Sequence, residues 1–279
     1  MAIKKSKARH FVKMHGIGND MIIFDCTKSS IASPAPLARK VCNRHTGVGA
    51  DQMLLISKSR KGDFMMRTFN PDGSEAEMCG NGIRCAAKFI KEYKLSAKKE
   101  LLIETPAGLK LVKSVGNQFE VDMGEPIMKG KEIPVNLSGR IINRPLKTES
   151  KDFRITCLSV GNPHCITFHE ELKDLPVEKF GPMLETYSIF PKKANISFVN
   201  VISKKELQLR VWERGAGETL GCGTAACASA VASVLNGFTE RKVTAVLPGG
   251  KLEIEWSTKD NHIYMKGPAE IVFTGEIAI

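Results

Sequence analysis

The chain has 279 residues, 42% of them hydrophobic and 25% charged, and carries a net charge of +11. That balance describes one large or two medium globular domains with apolar mass for a core. It excludes a bilayer-spanning helix, since the longest small-apolar run, Ala225 to Leu235, falls well short of the ~20 residues such a helix needs. The basic residues are scattered in short clusters such as Lys98-Lys99 and Lys192-Lys193, without aromatic interleaving, so nucleic acid is not an expected partner. The eight cysteines are not spaced as a secreted disulfide framework, and no apolar stretch with a cleavage site follows the basic start, which makes the cytoplasm the expected compartment.

In chain order, strand-like runs are expected at Met21–Phe24, Met53–Ile56, Met65–Phe69, Leu101–Glu104, Leu109–Val112 and Phe119–Met123. A helix over 34–43 interrupts them, with Ser33 as its cap and proline at its first position. A second helix is predicted over about 82–94 from the spacing of Ile83, Ala86, Ala87, Ile90 and Tyr93. Further strands are expected at Cys165–Phe168, Ile196–Val201, Leu207–Trp212, Val243–Val246, Leu252–Glu255 and Ile263–Met265, with helices at about 177–186 and 224–236. The last helix is small or apolar on every side and closed by Gly237, so it should be buried.

Cys79 and Cys222 each open a Cys-Gly step into one of these helices, and the polar residues before them recur at matching distances. Asn70 and Glu213 stand 9 positions upstream, Gln52 and Asn195 stand 27, and Asn19 and Asn162 stand 60. The common offset is 143 residues, too long for a solenoid period and close to half the chain. It reads as a duplication, an α+β fold of two similar domains. Each would be a curved mixed sheet or barrel wrapped around a central helix, with the active site in the cleft between them. The first domain would cover 1–124 and the second 125–267, with the tail 268–279 free to return to the first.

A cysteine in the first turn of a helix feels the positive end of the backbone dipole, which favours thiolate. From a free value of roughly 8.5, a modest depression brings a thiol near neutrality, where it can serve as acid or base. The backbone N–H groups of Gly80, Asn81, Gly223 and Thr224 offer an anion site for a carboxylate. The amides of Asn19, Gln52, Asn70, Asn162 and Asn195 suit an amino-acid ligand, and Arg214 a second carboxylate. The other cysteines (Cys26, Cys42, Cys85, Cys157, Cys165 and Cys227) read as small apolar residues, and His15 and His45 as structural. His164, beside Asn162, is a site candidate. Gly16-Ile-Gly18 and Gly47-Val-Gly49 lack the full dinucleotide fingerprint, and neither a Cys-x-x-Cys or Cys/His pairing with finger spacing nor a Gly-Lys-Ser/Thr loop occurs. Neither a metal nor a cofactor is expected.

Several blocks together resemble the diaminopimelate epimerase family: Lys13-Met-His-Gly-Ile-Gly-Asn-Asp20, Gly47-Val-Gly-Ala-Asp-Gln52, Phe69–Arg84, Gly161-Asn-Pro-His-Cys165, Ala194-Asn195, Glu213–Thr219 and Cys222–Cys227. The resemblance extends to Tyr264-Met-Lys-Gly-Pro268 and so covers nearly the whole chain. It implies a cofactor-independent, two-base epimerisation of LL-2,6-diaminopimelate to the meso form, a step in lysine and peptidoglycan precursor synthesis. Carried over by position, Cys79 and Cys222 are the acid/base pair. Asn19, Gln52, Asn70, Gly80, Asn81, Asn162, Asn195, Glu213, Arg214, Gly223 and Thr224 line the substrate, and His164 and Glu213 modulate thiol pKa. Ala225 stands where the family often has glycine, a change the helix should tolerate, and the basic residues 1–8 lie outside the pattern. The partner implied is the small-molecule substrate, with no membrane or nucleic acid, and a homodimer is allowed. Two other readings stay open on the residues alone, a proline or hydroxyproline racemase with a similar two-thiol plan and a redox sensor joining Cys79 to Cys222.

Overall fold

The structure, a computed structural model, describes residues 8–278; the basic extension at residues 1–7 lies outside them. The chain divides into two compact units. One ends at Val121 and takes up the chain again from Pro268, and the other is Asp122–Gly267.

The first elements in chain order are β1 (Ala8–Gly16), β2 (Asn19–Asp25), α1 (Pro34–Cys42), β3 (Gln52–Lys58), β4 (Phe64–Phe69), β5 (Glu75–Ala76), α2 (Gly80–Glu92), β6 (Glu100–Thr105), β7 (Gly108–Val115) and β8 (Gln118–Asp122). β1 and β2 form an antiparallel hairpin, with Gly16 opposite Asn19. Its two-residue turn puts both Ile17 (φ 49°) and Gly18 (φ 82°) in the left-handed region, as a right-twisted hairpin requires. β2 then pairs in parallel with β3, the crossover being α1, and β4 pairs in parallel with β6 across α2. Antiparallel pairing joins β3 to β4 and runs through β6, β7 and β8, so the sheet is mixed.

The same plan follows in β9 (Ile141–Leu146), β10 (Phe153–Ser159), β11 (Pro163–Phe168), α3 (Val177–Glu185), β12 (Asn195–Ser203), β13 (Glu206–Glu213), β14 (Gly217–Thr219), α4 (Gly223–Leu235), β15 (Lys242–Leu247), β16 (Gly250–Trp256), β17 (Ile263–Gly267) and β18 (Glu270–Ala278). β11 pairs in parallel with β12 across α3, and β13 with β15 across α4. The starts of α1 and α3, of β3 and β12, and of α2 and α4 are each separated by the 143 residues of the sequence repeat. The flanking strands are exchanged: β9, following the first meander, pairs with β10, and β18, following the second, pairs with β1. The tail beyond Pro268 is thus the strand lying along β1.

α4 is buried from Gly223 to Ser233, as its all-round small and apolar surface requires. α2 is buried from Gly80 to Ala87 and again at Phe89 and Ile90, and its Lys88 reaches Glu270 of β18 at 3.1 Å. The outer helices bury one face each. Leu37, Ala38 and Val41 of α1 join Phe24 and Leu55, while Val177, Phe180 and Leu184 of α3 join Ile196 and Phe198. Each large side chain buried this way contributes roughly 1.5–3 kcal/mol.

Three local expectations need correction. α2 and α4 begin two residues and one residue earlier than the apolar spacing predicts, so Cys79 and Cys222 are the N-cap residues in extended backbone (φ −131° and −121°) rather than members of the first turn. Glycines at the helix starts carry no apolar signal, which hid the true first turn. Ser33 occupies the cap position of α1, but its side chain makes no capping hydrogen bond. β1, β9, β10 and β18 were not anticipated. Lys13 breaks the apolar run of β1, Pro145 and Arg144 sit inside β9, Arg154 lies in β10, and β18 leaves Ile271, Val272 and Phe273 exposed.

Candidate active site

The site residues fall into two sets, one in each unit. In the first, the tight turn before β2 fixes Asn19 as that strand's first residue, and β3 opens with Gln52. The Gly47-Val-Gly49 loop that leads to β3 serves the backbone. A Cβ at Gly47 would lie 2.1 Å from the Lys40 carbonyl oxygen, and Val48 and Gly49 donate to Val41 O at 3.0 and 2.9 Å, closing the C-terminus of α1. Asn70 follows β4, and Cys79 caps α2 with its sulfur accepting from the Gly82 N–H at 3.2 Å.

Around that sulfur the side chains form a connected set. Cys79 Sγ donates to Asn19 Oδ1 at 3.7 Å, and Asn81 Nδ2 donates to the same oxygen at 3.3 Å. Gln52 Nε2 donates to Asn70 Oδ1 at 3.0 Å, and Asn70 Nδ2 to Ser74 Oγ at 3.0 Å. Gln52 Oε1 is buried with no hydrogen-bond partner among the described residues, an acceptor suited to an ammonium group. Behind the amides lies an ion network that sequence reasoning assigned no role. Lys13, itself buried, pairs with Asp20 at 2.6 Å, and Arg44 bridges Asp20 and Asp51 at 2.8 and 2.7 Å. Burial would raise the Asp20 carboxyl, but Arg44 and Lys13 outweigh it and hold the group well below the usual carboxylate range. The available signal was the adjacency of Asp20 to Asn19 and of Asp51 to Gln52.

In the second unit, Asn195 opens β12 and Glu213 closes β13. Asn195 Nδ2 donates to Pro163 O at 3.0 Å, and its Oδ1 accepts from the backbone N–H of Arg214 at 2.9 Å. The turn after Glu213 is held by Glu185 at the end of α3, whose carboxylate accepts from Trp212 Nε1 at 2.8 Å and Gly215 N at 3.1 Å. This leaves the Arg214 side chain on the surface, with Nη1 3.3 Å from Lys192 O. Glu213 Oε1 accepts from Thr219 Oγ1 at 2.6 Å, a partner the sequence did not suggest. Cys222 occupies the N-cap position of α4 without a side-chain capping hydrogen bond, its sulfur 3.4 Å from Thr224 Oγ1.

Electrostatics at Cys222 run against the dipole argument. Burial comes first and the Glu213 carboxylate second, and together they push the thiol well above its ordinary value despite lowering contacts from Thr224 and the Ala225 N–H. Desolvation therefore wins over the helix terminus, and Cys222 rests as a thiol. His164 is wholly buried and lies 2.8 Å through Nε2 from Asn162 Oδ1. Burial, then the nearby Arg214 charge, lowers it to about 3, so the ring is neutral near pH 7. Its Nδ1 has no hydrogen-bond partner among the described residues.

Of the remaining cysteines, Cys42, Cys85, Cys157, Cys165 and Cys227 are buried and Cys26 is partly so. Burial lifts the thiols of Cys42 and Cys85 to about 12, which suits inert core residues. Among the described residues there is no group of three or more His, Cys, Asp or Glu able to hold a metal ion, and no helix long and apolar enough to cross a membrane.

Comparison with known proteins places these residues in context. A family model described as diaminopimelate epimerase matches residues 11–129 and 156–272. A diaminopimelate epimerase of Acetivibrio thermocellus is 48% identical over 273 residues, covering 96% of this chain and 98% of the relative. One from Methanococcus maripaludis strain C6 is 50% identical over 276 residues, covering 96% and 99%. Among solved structures, a hydroxyproline epimerase from Agrobacterium vitis superposes with a TM-score of 0.70 at 12% identity, covering 100% of this chain and 94% of that one, a likeness of fold alone.

Proposed function

The chain belongs to the diaminopimelate epimerase family, and from that premise we propose that it converts LL-2,6-diaminopimelate to meso-2,6-diaminopimelate without a cofactor. The observation that carries the reading is the repetition: in each copy of one fold, a cysteine caps the central 13-residue helix. Cys222 removes the α-proton of the LL isomer, and Cys79 returns a proton on the opposite face. Because Cys222 rests as a thiol, it must first lose its own proton, and Glu213 is the carboxylate placed against it to take that proton.

The other residues bind and stabilise. Backbone N–H groups at the starts of α2 and α4, from Gly80, Asn81, Gly223 and Thr224, bind the α-carboxylate and stabilise the charge that moves onto it as the α-proton leaves. Asn19, Gln52, Asn70, Asn162 and Asn195 orient the substrate, with Gln52 Oε1 accepting from an ammonium. Arg214 grips the carboxylate of the non-reacting end, and its backbone is already held by Asn195 and the Glu185-braced turn. His164, neutral and behind Asn162, sets that amide's orientation. The compartment proposed is the cytoplasm, and the assembly a homodimer.

A proline or hydroxyproline racemase would use two thiols in the same way but has no need of Arg214. Incubation of the purified protein with LL-diaminopimelate, L-proline and trans-4-hydroxy-L-proline, each followed by chiral chromatography, separates the readings. Formation of meso-diaminopimelate with no turnover of the imino acids is the expected result. Inversion of either imino acid at a comparable rate would overturn the substrate assignment.

A further inference from the structure

The amide facing Cys79 is held by two charged groups whose hydrogen-bonding capacity runs in one direction only. Asp51 Oδ2 lies 2.9 Å from one terminal atom of Asn19, and an ionised carboxylate only accepts, so that atom is Nδ2. Arg84 Nη2 lies 2.7 Å from one terminal atom of Asn81, and a guanidinium only donates, so that atom is Oδ1. The two remaining atoms, Asn19 Oδ1 and Asn81 Nδ2, then meet at 3.3 Å as acceptor and donor, consistent with both ends. Asn19 therefore turns an oxygen, not an N–H, toward Cys79 Sγ.

Both ends of this chain are firmly placed. Arg84 is wholly buried and also donates to Gly80 O at 3.0 Å and Pro268 O at 3.2 Å. Asp51 accepts from Arg44 at 2.7 Å and from the Asp20 N–H at 3.1 Å, and Asp20 is itself tied to Lys13. The second unit keeps the amide, Asn162 in place of Asn19, but lacks the residues that hold it. At the repeat offset, Asp20, Asp51, Asn81 and Arg84 correspond to Pro163, Ala194, Thr224 and Cys227.

We propose that Asp51 is a positioning residue that fixes the polarity of the Asn19 amide, so that Cys79 faces an acceptor and rests as a thiol ready to donate its proton. The proposal rests on Cys79 being one of the two acid/base thiols. It gives the first copy a means of keeping its cysteine protonated that does not depend on deep burial, since Cys79 is only partly buried whereas Cys222 is buried.

The test follows the alkylation rate of each thiol in the intact, ligand-free chain, using iodoacetamide at neutral pH with peptide mass spectrometry. In Asp51→Asn the obligate acceptor that holds Asn19 Nδ2 is lost and only the 3.3 Å contact from Asn81 still favours the original face, so the Asn19 amide can turn its N–H toward the sulfur. Cys79 should then alkylate roughly tenfold faster, since thiolate rather than thiol is the nucleophile, while the Cys222 rate is unchanged. Asp51→Ser, at a side chain that is 43% exposed, should give the same rise and carries the test if the amide variant does not fold. The exchange Asn19→Asp with Asp51→Asn offers Cys79 only oxygens again, so its rate should return to the wild-type value or below. An unchanged Cys79 rate in the single variants, or a rate that stays high in the exchange, would overturn the proposal. Neither outcome depends on turnover, so failure of the wild-type protein to epimerise diaminopimelate would sink the functional reading, while the alkylation rates alone decide whether Asp51 sets the polarity of Asn19.

Discussion

In the first copy the cysteine at the helix cap is backed by amides, and in the second by a carboxylate. The frame is common: an amide at or just before the start of one strand, a second strand opening on an amide 33 residues later, and a cysteine at the cap of a 13-residue helix. The chemistry is not. Asn70 stands in the first copy where Glu213 stands in the second, and the Lys13–Asp20–Arg44–Asp51 network has no counterpart around Cys222. A duplicated fold supplies two equivalent positions, and in the proposed mechanism side-chain divergence behind them would make one thiol a ready donor and give the other a neighbouring proton acceptor. An epimerase needs that difference, because in each direction one thiol must start charged and the other neutral.

The largest effect should come from removing either thiol. Cys79→Ala and Cys222→Ala are each expected to reduce epimerisation below detection while leaving circular dichroism unchanged, because inversion needs a group on each face. Near wild-type turnover by either variant would show that the two copies are not both catalytic. Next comes the carboxylate that sets the second copy apart. Glu213→Gln leaves Cys222 without a proton acceptor and should lower kcat/KM by about 10²–10⁴, the usual contribution of a positioned acid/base group. The Cys79 alkylation rate should not respond.

Arg214→Lys should cost less. Losing one charge-assisted contact of this kind is worth about 1.5–3 kcal/mol, so kcat/KM for diaminopimelate should fall roughly tenfold to a hundredfold. Lysine, which lacks the second carboxylate, should be a poor substrate of the wild-type protein; equal efficiency on the two would refute the role.

The smallest effect distinguishes the copies by acid sensitivity. His164 and His169 of the second unit are held at about 3 and about 4, chiefly by burial, from an ordinary 6.5. A lowered folded-state value means that the unfolded chain binds protons first, so stability is present above pH 6.5 and declines as pH falls toward the folded values. His262, raised by Asp122, acts in the opposite sense, but its side chain is about a third exposed and solvent screens it. In the first unit Asp20 loses its contribution only as pH falls below about 3.8. Between pH 7 and pH 5, amides of β11 and β12 should therefore lose exchange protection by on the order of 1–2 kcal/mol while those of β2 and β3 hold. Equal loss in both units would contradict the assignment.

Much of this was readable in the chain. The helices emerged from apolar spacing, the burial of α4 from the absence of any polar face, and the equivalent places of Cys79 and Cys222, each at the cap of its central helix, from a spacing that needs no knowledge of structure. What escaped was information carried by contact rather than by pattern. Lys13 looks like a solvated charge that ends a strand, yet it is buried in the middle of β1 because Asp20 on the neighbouring strand neutralises it. Arg84 lies on the buried face of α2, where helical spacing alone would place an apolar residue. At Cys222 the helix terminus suggested a lowered thiol pKa, but the sign was set by burial and by Glu213, nine residues away in sequence and visible as a neighbour only once β13 and α4 are placed.

The central claim is that one thiol removes the α-proton and the other returns a proton drawn from solvent. Incubation with LL-diaminopimelate in deuterium oxide, with no added cofactor, tests it most directly by mass spectrometry and chiral analysis of the product. The account predicts meso-diaminopimelate carrying one deuterium, located at the inverted α-carbon. Inversion with the original hydrogen retained at that carbon, in product recovered at early conversion, would contradict it.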